Sequence, residues 1–171
     1  YPLFDIAQIE QLNNCTAPLK WLKVTTDTPI DSLYSLKNDK NTAIVLTPSH
    51  GNVSGCQENF IKKLNNAGIT SPVVLLNSYN DSDNEWIQVK AGADFGTMLL
   101  NGYRDGIWLD CPSYDNINDI VRYEFGILQA ARLRTTKTEY ISCPSCGRTL
   151  FNLQQTIARV KAATSHLKEL K

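Results

Sequence analysis

The chain has 171 residues, of which 42% are hydrophobic and 20% are charged, a composition that suits one ordinary globular domain with a sizeable core. Its 17 Lys and Arg residues balance 17 Asp and Glu residues, so no basic field favours nucleic acid or an anionic membrane surface. No apolar run approaches the roughly 20 residues that span a bilayer, and the first residue is Tyr rather than Met, which suggests a piece of a longer protein.

The N-terminal elements alternate between helix and strand. Residues 3–14 carry isoleucine and leucine at three-residue spacing and predict a short helix. Residues 19–25, with aromatic and β-branched side chains, predict a strand. Pro29 then stands at a suitable first position for a helix. These segments form a first strand–helix unit.

The middle of the chain repeats this unit. Residues 42–47 and 71–76 are short, nearly continuous apolar runs, the pattern of strands in a covered parallel sheet. Between them, Ser54 and Gln57 match a capping box and predict the start of a helix that ends at Gly68. Repeated strand–helix units of this kind indicate a parallel sheet.

The remaining elements complete a series of five strands. Residues 85–100 predict a helix that ends before Gly102, residues 105–110 a fourth strand, and residues 117–131 another helix. A fifth strand is predicted to run into Cys143. We therefore expect an α/β fold of βα repeats with a mainly parallel five-stranded sheet. The sheet is either open and doubly wound or resembles part of a TIM barrel, with helices on both faces.

Two of the five cysteines have the spacing of metal ligands. Cys143 and Cys146 form a Cys-x-x-Cys motif just before an amphipathic helix that is predicted to begin at about Thr149. The helix dipole and the neighbouring Arg148 favour the thiolate form of both side chains. The motif therefore suits a metal ion, a cluster or a disulfide.

The spacing alone leaves four interpretations of this motif open. It is half of a zinc ribbon, for which His166 is a lone further ligand. It matches thiol–disulfide exchange sites of the thioredoxin kind, although those follow an early strand. It can hold two irons of an iron–sulfur cubane. The fourth interpretation is two free thiols on a turn.

The other chemistry-bearing residues are interpreted as structural. Three isolated cysteines are expected to be buried small apolar residues in a reducing cytosol. These are Cys15, Cys56 and Cys111. His50 is expected to be a solvated loop residue, and the odd spacing of Asp105 and Asp110 favours turn and capping roles. Three basic residues are interpreted as a solvated helix end or an interdomain contact rather than as diphosphate ligands. These are Arg132, Arg134 and Lys137.

Three stretches of sequence resemble one enzyme family. TEYISCPSCGRTLFNLQ, residues 138–154, closely resembles the start of the iron–sulfur domain of 4-hydroxy-3-methylbut-2-enyl-diphosphate synthases. DFGTMLLNGYRDGIWLD, residues 94–110, and FGILQAARLR, residues 125–134, are similar to the preceding segment in the long, insert-containing type of some bacteria and plastids. The resemblance covers roughly residues 85–167 well.

The resemblance implies an iron–sulfur oxidoreductase of the methylerythritol phosphate pathway of isoprenoid, or terpenoid, biosynthesis. Such enzymes convert 2-C-methyl-D-erythritol 2,4-cyclodiphosphate to 4-hydroxy-3-methylbut-2-enyl diphosphate with electrons from ferredoxin or flavodoxin. In this family, three cysteines and one glutamate hold a [4Fe–4S] cluster. Cys143 and Cys146 match the first two cysteines, and the third cysteine and the glutamate are expected beyond Lys171. Asn152 stands where the family pattern leads us to expect Asp.

The resemblance also implies a division of the chain at the polar, basic joint around Arg134. Residues 1–134 are expected to be part of the insert domain, and residues 135–171 the first strand and helix of the cluster domain. On this interpretation the chain alone is inactive and holds no stable cluster. A homodimer, and a location in the bacterial cytoplasm or the plastid stroma, are further expectations. The alternative is a self-contained thioredoxin-like or metal-binding module that uses Cys143 and Cys146.

Overall fold

The structure, a computed structural model, describes residues 1–103, 105–140 and 151–167. All five strands lie parallel in a single sheet whose spatial order follows the chain, β1-β2-β3-β4-β5. The strands are β1 (Leu3–Asp5), β2 (Lys20–Thr25), β3 (Thr42–Thr47), β4 (Val73–Ser78) and β5 (Gly106–Asp110).

Helices occupy the connections between these strands, and two further helices follow β5. The α-helices are α1 (Ile9–Asn14), α2 (Val53–Asn66), α3 (Asn84–Leu100), α4 (Ile117–Ala130) and α5 (Leu153–Thr164). Two 3₁₀-helices cover Ile6–Gln8 and Ile30–Asn38. The α/β class and the parallel five-stranded sheet are thus confirmed, and the sheet is not closed into a barrel.

One of the five strands is not the one that the sequence predicts. Residues 3–14 were expected to be helical throughout, but Leu3–Asp5 pairs with β2 as a strand, and helical structure begins only at Ile6. The strand predicted to run into Cys143 is not present in residues 137–140, and its remaining residues lie outside the described ranges. The spacing of apolar residues cannot predict β1, because a three-residue edge strand is stabilised by its pairing with β2.

The main core cluster lies on one face of the sheet. Inward-facing residues of the strands, such as Leu22, Ile44 and Leu75, share a single buried cluster with side chains from α1 to α4 and from the second 3₁₀-helix. A sheet whose strand order follows the chain places every right-handed crossover on the same side. Among the two arrangements that the sequence left open, this order fits a partial barrel, since a doubly wound sheet reverses its strand order.

The expectation of helices on both faces is met on only one face within the described residues. The other face carries Leu3, Trp21 and Trp108, and the side chain of Trp108 is 44% exposed. Together with Ile117 and Val121 of α4, these residues border an apolar hollow of about 490 Å³.

Helix ends follow the local capping chemistry, with two differences from the sequence-based expectation. α2 begins two residues earlier than predicted, because the side chain of Asn52, rather than that of Ser54, accepts the hydrogen bond of a first-turn amide, that of Gly55. Pro29 precedes a 3₁₀-helix instead of opening an α-helix. Gly102 has a φ of 96° and ends α3 as predicted.

Candidate functional site

The predicted site residues Cys143 and Cys146 lie outside the described residues, in the ten-residue stretch 141–150. The structure does describe the two segments that flank this stretch. One ends at Tyr140, and the other begins at Phe151 and continues into α5.

The upstream flank lies beside the C-terminal part of α5. The hydroxyl groups of Tyr140 and Thr164 share a hydrogen bond of 2.6 Å, and Thr138 Oγ1 donates to the carbonyl oxygen of Leu167 at 2.6 Å. The ammonium group of Lys161 lies 5.6 Å from the centre of the Tyr140 ring. α5 is therefore held against residues 138–140 chiefly by polar contacts.

The same flank is anchored to α4 by a single glutamine. Gln129 Oε1 accepts hydrogen bonds from the backbone amides of Thr136 at 3.2 Å and Lys137 at 3.1 Å, and its Nε2 donates to the Lys137 carbonyl oxygen. Residues 136–140 thus join the α4 side of the sheet domain to α5. This is the region that the sequence predicts as the joint between two domains.

The downstream flank starts with a helix cap. Within the described residues α5 begins at Leu153, not at about Thr149, and the side chain of Asn152 accepts a hydrogen bond of 3.0 Å from the Gln155 amide. Asn and Asp are about equally good N-caps. Asn152 therefore caps α5 as the expected Asp would.

The apolar stripe predicted for α5 is only partly covered. Leu153 and Ile157 are half-buried, while Val160 and the preceding Phe151 are exposed. None of the residues of α5 is fully buried. An amphipathic helix of this kind needs a further apolar surface to cover its stripe.

The described residues do not fit a metal or cluster site by themselves. Within residues 1–103, 105–140 and 151–167, no group of three or more His, Cys, Asp or Glu side chains is placed to hold a metal ion. Cys15, Cys56 and Cys111 are free thiols, but only Cys111 is buried. The prediction of burial is right for Cys111 and wrong for the other two, which are half-buried.

Cys111 is also unsuited to act as a thiolate ligand. Burial raises the pKa of its thiol, and the nearby carboxylates of Asp110, Asp81 and Glu124 raise it further. Thiolates are the form that binds metal ions and attacks electrophiles. Cys111 is therefore a protonated core residue at neutral pH.

Three other candidate residues have structural roles, but only His50 has the role that the sequence predicts. His50 is exposed, and its Nε2 lies 3.0 Å from Asp27 Oδ1, also an exposed side chain. Asp105 Oδ2 accepts a hydrogen bond from the amide of Val73, and Asp110 Oδ2 accepts one from the hydroxyl of Ser78. The two carboxylates thus connect β4 to the two ends of β5, and the prediction of turn and capping roles for them is wrong.

Sequence reasoning missed a buried polar pair in the core. Gln57 of α2 and Asn77 of β4 are almost completely buried, and Gln57 Nε2 donates to Asn77 Oδ1 at 2.8 Å and to the Leu46 carbonyl oxygen at 3.3 Å. The strand period could have revealed Asn77, because it lies two residues after Leu75 and so shares its face. No local sequence pattern predicts the hydrogen bond from Gln57 to Asn77.

Comparison with known proteins identifies the family. No protein-family model matches the chain. A 4-hydroxy-3-methylbut-2-en-1-yl diphosphate synthase (flavodoxin) from Parabacteroides distasonis is 46% identical over 172 residues, which cover 100% of this chain and 28% of the relative. Over its whole length, the chain corresponds to a segment of this synthase family. The synthase from Bacteroides fragilis (strain YCH46) is 45% identical over 176 residues, again with 100% of the chain and 28% of the relative covered. The synthase from Porphyromonas gingivalis is 44% identical over 141 residues, with 82% of the chain and 24% of the relative covered.

The family resemblance seen in the motifs is confirmed by these synthases. It extends beyond residues 85–167 to the N-terminal part of the chain, because the alignment with the P. distasonis synthase covers all of it. The chain spans about 28% of the length of the first two synthases. In the described ranges, none of the helices combines the length and apolar character that a membrane span requires.

Proposed function

We propose that this chain is part of a synthase that reduces 2-C-methyl-D-erythritol 2,4-cyclodiphosphate to 4-hydroxy-3-methylbut-2-enyl diphosphate in isoprenoid biosynthesis. The single observation that carries the proposal is 46% identity over the whole chain to a 4-hydroxy-3-methylbut-2-en-1-yl diphosphate synthase (flavodoxin). The name of that relative specifies flavodoxin, which supports flavodoxin as the electron donor of the larger protein.

Within that larger protein, residues 1–134 serve as part of the insert domain and residues 135–171 begin the cluster domain. The core cluster and the side chains packed against it reach no further along the described chain than Leu133. Residues 136–140 are attached to α4 through the polar contacts of Gln129. These observations support a joint in this region.

Cys143 and Cys146 are proposed as two ligands of a [4Fe–4S] cluster. Thiolates are the usual protein ligands of such clusters, which commonly have four protein ligands. The described residues supply no further ligand set, so the chain alone is expected to be inactive and to hold no stable cluster. When bound in the larger protein, the cluster would pass electrons from the flavodoxin donor to the substrate.

The test is to measure iron and acid-labile sulfide after anaerobic reconstitution of this chain and of the longest polypeptide encoded by its reading frame. We expect about four irons per longer polypeptide and almost none per 171-residue chain. Cys143→Ser/Cys146→Ser should abolish iron binding by the longer polypeptide. The control variant Cys56→Ser, which removes a half-buried thiol of α2, should leave it unchanged.

Two results would contradict the proposal. Stoichiometric cluster in the 171-residue chain, lost in the double variant, would show that the ligand set is completed without any additional sequence. Negligible iron in the longer polypeptide would remove the cluster assignment and favour a module in which the two thiols act alone.

A further inference from the structure

The outward face of α3 is apolar along its whole length. Residues at alternating spacings of three and four share this face, the pattern of a helix that packs against another element. They are Trp86, Val89, Ala93, Gly96 and Leu100, called the outer stripe below. The side chains of Trp86, Val89 and Leu100 are 58%, 62% and 74% exposed. The described part of the chain therefore leaves the outer stripe without a partner.

The opposite face of α3 already fills the core. Ile87, Ala91, Phe95 and Met98 on that face are completely buried. The outer stripe is therefore a second apolar surface on the same helix.

Two glycines give an independent indication of close packing. Gly92 and Gly96 lie four residues apart in the middle of α3, where glycine is less favourable than any other residue except proline. Neither has a positive φ, and a Cβ added at either position would meet no atom within 4 Å among the described residues. No contact in the described structure explains these glycines. A glycine on an open helix face does allow another backbone to approach closely.

The surface area of the outer stripe indicates which kind of partner covers it. A helix of 17 residues is about 25 Å long and about 10 Å wide, so the stripe offers roughly 300 Å² per side. Stable complexes between separate proteins bury about 800 Å² on each partner. Interfaces between domains of one chain begin at about 600 Å² in total, which is about 300 Å² on each side. A stripe of this size suits docking within one polypeptide, where tethering raises the effective concentration.

We propose that the outer stripe of α3 docks onto another part of the same synthase polypeptide, outside the segment that this chain spans. Trp86 and Leu100 anchor the two ends of the contact, and Gly96 allows close approach between them. The proposal rests on the proposed function, in which the chain is part of a synthase about 3.6 times as long, the inverse of the 28% coverage.

The test is hydroxyl-radical footprinting of the 171-residue chain and of the longer polypeptide from its reading frame, read by mass spectrometry. We expect Trp86 to be modified several-fold more slowly in the longer polypeptide, while the exposed Tyr34 provides an internal reference. Val89→Lys places a charge in the contact and should restore the reactivity of Trp86. Its matched control is Gln88→Lys, the same substituted residue one position earlier, outside the outer stripe, and it should leave Trp86 protected. Circular dichroism of both variants checks that they fold.

The other outcomes distinguish failure of the docking proposal from failure of the proposed function. Equal reactivity of Trp86 in the short chain and in a longer, cluster-containing polypeptide would overturn the docking proposal and leave the proposed function intact. Protection that appears in the short chain and grows with its concentration would assign the outer stripe to a second copy. A reading frame that ends at Lys171 would overturn both proposals, whereas protection without a cluster would overturn only the proposed function.

Discussion

At the scale of single residues, the most consequential polar contact is a buried ion pair near the start of β2. Lys20 Nζ lies 2.8 Å from Asp39 Oδ2 and donates to the Leu12 carbonyl oxygen at 3.3 Å. Asp39 also accepts hydrogen bonds from the Thr42 hydroxyl and the Asn41 amide. The Lys20 side chain is only 7% exposed, so its charge depends on this carboxylate.

We predict that Asp39→Ala lowers the free energy of unfolding by about 3 kcal/mol, because it leaves the buried Lys20 ammonium without a counter-charge. Urea denaturation monitored by circular dichroism measures the change. Asp81→Ala provides the control, since it breaks the more exposed pair with Lys90 and should cost less than about 1 kcal/mol. Equal effects of the two substitutions would show that burial does not strengthen the Lys20 pair.

The same carboxylate predicts a loss of stability in acid. Burial alone would raise the pKa of Asp39, but hydrogen bonds from Lys20, Thr42 and Asn41 outweigh it and hold the pKa below its ordinary value of 3.8. Because the folded-state pKa is the lower one, the stabilisation is present above pH 3.8 and is lost as the pH falls through the folded-state value. Urea denaturation from pH 6 down to about pH 2 should therefore show a smaller acid dependence for Asp39→Ala than for the unsubstituted chain. Parallel pH profiles would exclude this contribution.

At the scale of elements, Glu124 of α4 occupies the free edge of the sheet. β5 is the outermost strand, and the backbone amide of Leu109 donates a hydrogen bond of 2.7 Å to Glu124 Oε1. Burial raises the pKa of Glu124, and the Leu109 amide offsets part of that rise. A side chain on this edge also removes an amide with which another strand could pair.

We predict different effects for two substitutions of Glu124. Glu124→Ala leaves the Leu109 amide without an acceptor and should lower the free energy of unfolding by about 1–3 kcal/mol. Glu124→Gln keeps a carbonyl oxygen without a partly buried charge, so it should be close to neutral at pH 7. Thermal unfolding at pH 7 distinguishes them, and an equal loss in both variants would contradict the role of the acceptor.

Glycine substitutions in and after α3 should have opposite effects in the 171-residue chain. Gly96→Ala removes an unfavourable helix residue where an added Cβ meets nothing in the described structure, so it should stabilise the chain by about 1 kcal/mol. Gly102→Ala forces a side chain into a φ of 96° and should destabilise it by about 1–2 kcal/mol. Calorimetric melting temperatures test both signs. A lower melting temperature for Gly96→Ala would reveal a close contact that the described residues do not contain.

At the scale of the whole molecule, the sheet domain contains its own core. The core cluster and the residues packed against it reach no further along the described chain than Leu133, whereas α5 is connected to residues 136–140 by hydrogen bonds and one cation–π contact. Among the described residues, the core cluster contains no side chain of α5. Few contacts are expected to cross the predicted boundary between two domains.

We predict that a chain ending after Thr138 keeps the main cooperative unfolding transition, within a few degrees of the melting temperature of the 171-residue chain. The Gln129 contacts to Thr136 and Lys137 are retained in this truncation. The control is a truncation after Leu128, which removes Leu133 and the end of α4 from the core. Loss of the transition in both chains would show that residues after Thr138 belong to the same cooperative unit.

The sequence by itself determined the α/β class, the three central βα units, the exposed loop position of His50 and the synthase family. These follow from apolar periodicity, from local turn chemistry and from contiguous motifs, all of which are local properties of the chain. Only the tertiary structure decided that Leu3–Asp5 adds a strand at the edge of the sheet, that helices α1 to α4 pack on one face and that Lys20 pairs with Asp39. Each of these depends on residues brought together from distant positions, since an edge strand, a covered face and a buried counter-charge exist only once their neighbours are in place.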